Sequence, residues 1–247
     1  MQASPFFPYD PLQLRCNPFR ALTLDEWKDL ALLPPEAVAA AQETSGCIQV
    51  LGEQGAGKTS CLLAMLHADE LAGKRAAYEY LQPDKHRFLT ELTGLDVLYL
   101  DEIQRLHRLE LYRLINAIRT IPVRAVLSSH RDLQTAFRRR NVPILTLSLQ
   151  PNPEAAEAIL NRKMAYFTTG GTPGFRFSAS AVNYLLTEFR DYRAINAFLY
   201  EYFLTLPTQG EIQAGQLLEF QQELKARSGA ARSGQRPLHL SPRAHQR

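Results

Sequence analysis

Gly52-Glu53-Gln54-Gly55-Ala56-Gly57-Lys58-Thr59 satisfies the pattern G-x-x-x-x-G-K-[ST] at every fixed position. An apolar run, Cys47 to Leu51, precedes it, and a helix-compatible run, Ser60 to Leu66, follows. Strand, glycine-rich loop and helix in that order make a phosphate cradle, because the glycines let successive backbone N–H groups turn inward and the helix N-terminus adds partial positive charge. The expected nucleotide contacts are Gly52, Glu53, Gln54, Gly55, Ala56, Gly57, Lys58, Thr59 and Ser60. Lys58 is expected to reach the β and γ oxygens of ATP, and Thr59 to offer its hydroxyl to Mg²⁺. A glycine-rich turn arising by chance would lack the flanking strand and helix.

Outward from that loop, short apolar or β-branched runs recur at Ala76 to Tyr80, Val97 to Leu100, Val123 to Leu127 and Pro143 to Leu149, with helix-compatible stretches between them. This alternation predicts a five-stranded parallel sheet with helices on both faces. Upstream, Thr23 to Gln42 reads as helix interrupted at Pro34-Pro35, and the Pro- and aromatic-rich residues 1–20 as an irregular arm packing on this first domain. After Leu149 strand signals stop. Asn152-Pro153-Glu154 opens a helix, with Asn as cap and Pro at the first helical position. Further helices are expected over Ser180 to Glu188 and Tyr192 to Leu204. Thr208-Gln209-Gly210-Glu211 reads as a capping box opening a last helix, which should fray near Gly229. The expected organisation is an α/β domain over 1–150, a small all-helical lid over 151–227 and a disordered basic tail over 228–247.

Composition bounds this reading. A chain of 247 residues, 45% hydrophobic and 21% charged, can build one main core and one satellite. The net charge of +3 owes its sign to Arg227, Arg232, Arg236, Arg243 and Arg247; the remainder is slightly acidic. A nucleic-acid partner therefore draws on the tail and on local patches. Cys16, Cys47 and Cys61 show no paired spacing, which fits a reducing cytoplasm. No basic leader precedes an apolar segment, and no run approaches the roughly 20 residues that span a bilayer, so no membrane role is expected.

A second signal is Asp96-Val97-Leu98-Tyr99-Leu100-Asp101-Glu102, an apolar strand delivering two carboxylates at its carboxyl end, where ligands of such sheets bind. Asp101 would hold Mg²⁺ through water, and Glu102 would orient and deprotonate the attacking water. Alone, Asp-Glu after a strand is more often a helix cap; following a P-loop on a later strand, it reads as a catalytic pair.

With these residues in view, the chain resembles the AAA+ ATPases of the ExeA and TniB type, found in secretion-assembly and transposition systems. Asn17-Pro18-Phe19 resembles the N-P-F that opens such modules near the adenine. Asp101-Glu102-Ile103-Gln104-Arg105-Leu106 is similar to their D-E-A-Q-x-L. Leu149 to Lys163, with Glu154, Ile159 and Arg162, resembles the segment entering their lid, and Tyr192-Arg193-Ala194-Ile195-Asn196-Ala197-Phe198-Leu199 their P-R-x-I-N-x-L lid helix. The resemblance implies an AAA+-type αβα P-loop domain with a helical lid. It implies that Asn17 and Phe19 lie near the base, and that Arg193 is a lid cation touching the γ-phosphate of its own subunit, where otherwise it would pair with Asp191 or Glu188.

By the same resemblance, one arginine of Arg138-Arg139-Arg140, with Arg140 the candidate, completes a neighbour's site while the others form a solvated basic turn. Sensor 1 falls at Ser128 or Ser129, with Ser129 the candidate; the sequence departs there from the family's Gly-Gln. His130 reads as a loop or capping residue, since no nucleophile accompanies it. The expected activity is Mg²⁺-dependent ATP hydrolysis by a homo-oligomeric ring or filament that remodels a protein or protein–DNA partner. The alternative is a non-turnover, ATP-dependent conformational switch. Adjacent carboxylates and a helical lid argue against a small-molecule kinase, and a second motor domain of a helicase would not fit in the residues left.

Overall fold

The computed structural model describes residues 9–43 and 46–233, with side chains described over 9–40 and 46–227. A 3-10 turn, Asp10–Leu12, leads to helices α1 (Leu24–Leu30) and α2 (Pro35–Glu43), strand β1 (Cys47–Leu51) and helix α3 (Lys58–Leu71). Strands β2 (Ala76–Tyr80) and β3 (Val97–Asp101), a 3-10 turn at Ile103–Arg105, helix α4 (Arg108–Thr120), strand β4 (Arg124–Ser129), helix α5 (Gln134–Arg138) and strand β5 (Ile144–Ser148) follow. The remainder is helix α6 (Pro153–Phe167), strand β6 (Phe175–Phe177), helices α7 (Ala179–Glu188) and α8 (Tyr192–Leu204), strand β7 (Gly210–Ile212) and helix α9 (Ala214–Ser233).

The five long strands pair in the order β2-β3-β4-β1-β5, every pair parallel. Side chains alternate across the sheet with the strand period of two. Ile48, Val50, Val97, Tyr99 and Val126 join Leu62, Met65 and Leu66 of α3 and Ala37 and Ala40 of α2. Leu98, Leu100, Ala125 and Leu127 join Leu114, Ile115 and Ile118 of α4 and Phe137 of α5. Covering both faces accounts for the uninterrupted apolar runs. On β1 the polar Gln49 is fully buried; it donates to Arg131 O (2.8 Å) and accepts from Leu133 N (3.0 Å), pinning the loop that leaves β4. Because the strands are parallel, the loop after β1 and the ends of β3 and β4 meet at one carboxyl edge.

Helices α6 to α9 surround a separate cluster of buried residues including Leu160, Met164, Phe167, Leu185, Leu199 and Phe203. Three expectations change here. The lid is helical except for β6 and β7, a parallel two-stranded pair of three residues each, too short to display a sequence period. Thr208 to Glu211 opens no helix. Gly210, at φ 135°, begins β7, and α9 starts at Ala214, with Gln216 Oε1 accepting from Gln213 N at 2.7 Å. Helix α9 also continues through Gly229 to Ser233; the rest of the expected tail lies outside the described residues.

The amino-terminal arm packs on the lid and not on the first domain. Leu12, Leu14 and Phe19 are buried in the lid cluster, with the Phe19 ring 5.3 Å from Phe203 and 6.1 Å from Phe177, centroid to centroid. Leu14 bridges Thr168, and Asn17 Nδ2 donates to Tyr200 O at 2.9 Å. The arm's apolar residues find their partners where the lid would otherwise expose aromatic surface. Residues 1–8 lie outside the described residues. Phe19→Ala is expected to lower unfolding free energy by about 3 kcal/mol in urea denaturation; a loss below about 1 kcal/mol would place the arm outside the lid core.

Candidate nucleotide site

Gly57, at φ 93°, is the N-cap of α3, and Gly55 has φ 78°. A Cβ on Gly55 would fall 2.3 Å from Cβ of Asp191, the N-cap of lid helix α8. Gly55 O accepts from Tyr192 N at 3.3 Å. The loop is thus shaped both by left-handed backbone and by direct contact with the lid. Lys58, 5% exposed, turns its ammonium back toward the loop and donates to Gly52 O (3.0 Å), Glu53 O (2.9 Å) and His130 Nδ1 (3.2 Å). Burial pushes the Lys58 pKa down; Glu102, Asp101 and Glu53 oppose the shift, and Arg193 adds to it.

Asp101 is fully buried at the end of β3. Its Oδ2 accepts from Thr59 Oγ1 at 2.8 Å and from Tyr78 OH at 3.1 Å, and its Oδ1 from Ser128 Oγ. Burial and the Asp101 charge raise the Tyr78 pKa, which keeps that hydroxyl a donor. Thr59 and Asp101 set two hard oxygens side by side at the root of the glycine loop, a fit for Mg²⁺. No group of three or more His, Cys, Asp or Glu among the described residues is placed to hold a metal ion by itself, so such an ion would draw its other ligands from phosphate and water, as Mg²⁺ does elsewhere.

Glu102 adopts a left-handed backbone, φ 63°, which turns its side chain away from the strand direction. Its Oε2 accepts from Gln104 Nε2 at 2.7 Å and pairs with Arg105 NH2 at 3.1 Å. Its Oε1 lies 3.4 Å from His130 Nε2. An ammonium only donates, so His130 Nδ1 accepts from Lys58 and the ring proton falls on Nε2, facing Glu102. His130 therefore links the P-loop lysine to the second carboxylate and is no mere loop or capping residue. The missed signal was its place directly after β4, whose Ser128 faces Asp101.

Of the two serines left open for sensor 1, the structure turns Ser128 toward the carboxylates and Ser129 toward the following turn. Ser128 contacts Asp101 and accepts from Glu102 N at 2.8 Å, whereas the Ser129 hydroxyl accepts from Arg131 N at 2.9 Å and shapes the turn. Strand alternation explains the difference, since only one of two adjacent side chains can face β3's carboxylate. Phe19 also departs from expectation. Its ring is buried at 4% exposure in the lid core, and Asn17's side chain is spent on Tyr200 O and Phe19 N, so neither side chain offers a surface to a base.

From the lid, Asp191 Oδ1 accepts from Ala194 N at 2.8 Å and fixes the first turn of α8 against Gly55. Arg193 in that turn is exposed and forms no ion pair with Asp191 or Glu188 among the described residues. Its charge acts on Lys58. A cavity of about 410 Å³ between Pro151 and the α7–α8 loop, lined by Glu188, Phe189, Asp191 and Ile195, adjoins this contact. Arg140 lies elsewhere. It precedes β5, and Pro143 O accepts from Cys47 N at the start of β1, so the arginine run sits at the amino edge of the sheet, opposite the P-loop. Arg140 stacks 4.5 Å over the Tyr112 ring and donates to Asn116 Oδ1 at 3.0 Å, while Arg138 and Arg139 are exposed.

No family model and no curated protein matches the chain. Solved structures do. AMPPCP-bound DnaA from Aquifex aeolicus aligns with a TM-score of 0.53 at 16% identity over 85% of this chain and 70% of that one. NtrX from Brucella abortus in complex with ADP aligns with 0.50 at 15% identity over 85% and 65%. The replication initiator DnaA bound to AMPPCP and single-stranded DNA aligns with 0.50 at 16% identity over 80% and 64%, so this chain spans less than two thirds of that protein's length. At these identities the likeness is one of fold. The chain has the AAA+-type α/β fold, a five-stranded parallel sheet flanked by helices with the helix-rich lid following it. Gly55→Ala, which adds a Cβ at positive φ against Asp191, is expected to lower stability by about 1–3 kcal/mol. An unchanged melting curve would show that the lid does not rest on the loop.

Proposed function

We propose that this chain is a Mg²⁺-dependent ATPase of the AAA+ class, of the ExeA and TniB type, that assembles into a ring or filament and remodels a protein or protein–DNA partner. The observation that carries the reading is the 2.8 Å approach of Thr59 Oγ1 to Asp101 Oδ2, with Lys58 and Glu102 joined through His130 beside them. In this reading the backbone of Gly52 to Ser60 cradles the phosphates, and Lys58 exchanges two loop carbonyls for phosphate oxygens. Thr59 and Asp101 hold Mg²⁺, which supplies charge neutralisation when bound. Glu102 takes the proton of the attacking water, and Ser128 and His130 hold the two carboxylates in place. Arg193 closes the site from its own lid, and Arg140 or its neighbour serves another subunit's nucleotide.

DNA as part of the partner draws on the arginine-rich tail and on the replication initiator that is bound to single-stranded DNA. A cytoplasmic setting is supported by buried thiols Cys47 and Cys61, both pushed up to about 12 by burial, and no helix among the described residues is long and apolar enough to cross a membrane. One observation favours the alternative of a non-turnover switch: both Glu102 oxygens are already engaged, Oε2 by Gln104 and Arg105 and Oε1 by the His130 ring.

Lys58→Ala is expected to weaken ATP binding by roughly 100-fold or more, as charge-assisted contacts to phosphate are lost. Glu102→Gln should keep ATP affinity and lose turnover by about 10²- to 10⁴-fold. Calorimetry and phosphate release check the pair, and undiminished hydrolysis by the Gln variant would leave only the switch. Assembly is tested by mixing. Arg140→Ala and Lys58→Ala should each be nearly inactive, since an arginine finger is worth about 10³ to 10⁵ in rate, and together they should recover part of the activity. Turnover that stays flat with protein concentration, in a protein that remains monomeric with ATP, would rule out a trans-acting arginine.

A further inference from the structure

Lys163 is a buried cation that the proposed chemistry does not use. It lies in the lid at 7% exposure, where Nζ donates to Asn196 Oδ1 at 2.7 Å and sits 5.4 Å from the Phe19 ring of the arm. Taking an ammonium out of water without a carboxylate beside it is costly, and a methionine would fill the same space without that cost. A charge kept in such a place points to a use beyond packing.

Asn196 carries the contact toward the nucleotide site. Its Nδ2 donates to Tyr192 O at 2.8 Å in the first turn of α8. Tyr192 N in turn donates to Gly55 O at 3.3 Å, and Asp191, the cap of that turn, fills the space that a side chain at position 55 would need. Arg193 follows in the same turn, and its charge acts on Lys58. Protonation decides how this relay is set. An ammonium only donates, so Asn196 presents Oδ1 to it and keeps Nδ2 for Tyr192 O. A neutral amine also accepts, which permits the reversed amide and strips Tyr192 O of that donor. The charged form makes the stronger bond as well.

Burial pushes the Lys163 pKa down to about 8. The charged groups on the elements around it are engaged elsewhere or exposed. On α6, Glu157 faces Arg176 of β6, Arg162 donates to Asp29 O, and Glu154 is exposed. In the arm, Arg15 donates to Tyr166 O and Arg20 pairs with Glu26 of α1, where Lys28 pairs with Glu70, Asp29 accepts from Tyr166 OH and Asp25 is exposed. Glu188 of α7 accepts from Gln221, burial raises the Tyr184 pKa on the same helix, and Arg193 and Glu201 of α8 are exposed.

We infer that Lys163 is a positioning residue for the nucleotide: its charged form, through Asn196, seats the first turn of α8 on the glycine loop, and nucleotide affinity falls when its proton is lost. The inference rests on the reading of Gly52 to Ser60 as the nucleotide cradle and adds to it a control exerted from the lid core. Stability and affinity then respond to pH with opposite signs. A lysine of the unfolded chain keeps its proton to higher pH than Lys163 does, so above about pH 8 the unfolded state binds more protons, and this group's contribution to unfolding free energy rises with pH.

The test compares wild type with Lys163→Met at about pH 7 and about pH 9, either side of the Lys163 pKa of about 8, by calorimetry with ATP and by urea unfolding. The comparison cancels Lys58, whose burial-lowered pKa gives a pH dependence of its own. At the lower pH the variant should bind ATP about fivefold more weakly, the scale of one net hydrogen bond, and at the higher pH the two affinities should converge. Over the same interval the urea midpoint of the wild type should rise relative to that of the variant. A lysine that served packing alone would move fold and affinity in the same direction. Asn196→Ala, which leaves the lysine in place, should match the affinity loss, and the double variant should lose no more, since both act on one path. A ligand-free arm is hydrogen exchange at the Tyr192 amide, which should run about fivefold faster in Lys163→Met at the lower pH. Wild-type ATP affinity in Lys163→Met at the lower pH, an affinity gap that persists undiminished at the higher one, or unchanged Tyr192 exchange would overturn the inference. A wild type that binds no ATP would sink the nucleotide cradle instead, and the exchange arm would still decide whether Lys163 seats α8 on the loop.

Discussion

Everything at the carboxyl edge of the sheet is arranged around one buried carboxylate. Asp101 is removed from water, and an ionised carboxylate there is tolerable only if several donors replace its hydration. Thr59, Tyr78 and Ser128 supply them, each from a different element. Satisfying one side chain thus fixes the first turn of α3, the face of β2 and the end of β4 relative to β3. The glycine loop inherits its position from Thr59, since α3 cannot shift without unmaking that bond. Glu102 inherits its own from Ser128, which accepts from the Glu102 amide while donating to Asp101. The buried charge is therefore both the structural pin and the group that suits a divalent ion.

The lid is coupled to this pin through backbone rather than through long side chains. Gly55 O accepts from Tyr192 N, and Asp191 occupies the space that a side chain at position 55 would need. A movement of the loop must therefore be felt at the first turn of α8, where Arg193 sits. Behind it, Lys163 buries its ammonium in the lid core against Asn196 Oδ1 at 2.7 Å, with the Phe19 ring 5.4 Å away; burial lowers its pKa to about 8. That contact ties α6 to α8 one turn beyond Arg193. Because the arm contributes Leu12, Leu14 and Phe19 to the same cluster, arm, α6 and α8 form one packed unit on which Arg193 is mounted.

The five strands and the P-loop were legible because each rests on a local rule, an apolar run between breakers and a glycine pattern with chemical meaning. The helix Tyr192–Leu204 was legible for the same reason, with Asp191 as its cap. What sequence did not show depends on contacts distant along the chain. Strands β6 and β7 lie more than thirty residues apart and stabilise each other, so neither displays a pattern alone. Thr208 to Glu211 has the letters of a capping box, but pairing of β7 with β6 outweighs it. The arm's aromatics announced burial without announcing against what. Ser128, His130 and Arg105 were misassigned or left without a role because strand phase and turn geometry decide which side chains reach Asp101 and Glu102.

The opposed edges of the sheet carry the last consequence. The cradle, Asp101 and Glu102 open at the carboxyl ends of β1 and β3, while Arg138, Arg139 and Arg140 precede β5 at the amino ends. A guanidinium there cannot reach across the thickness of its own sheet to the loop after β1. If this run acts on a nucleotide at all, it acts on another subunit's. Tyr112 and Asn116 engage Arg140 on one face and at one nitrogen, which leaves the remaining N–H groups of the fork free and already oriented. Holding a flexible side chain in place before it meets a phosphate removes part of the entropy that the contact would otherwise lose, so under the proposed trans-acting role the packing that restrains Arg140 would favour that contact.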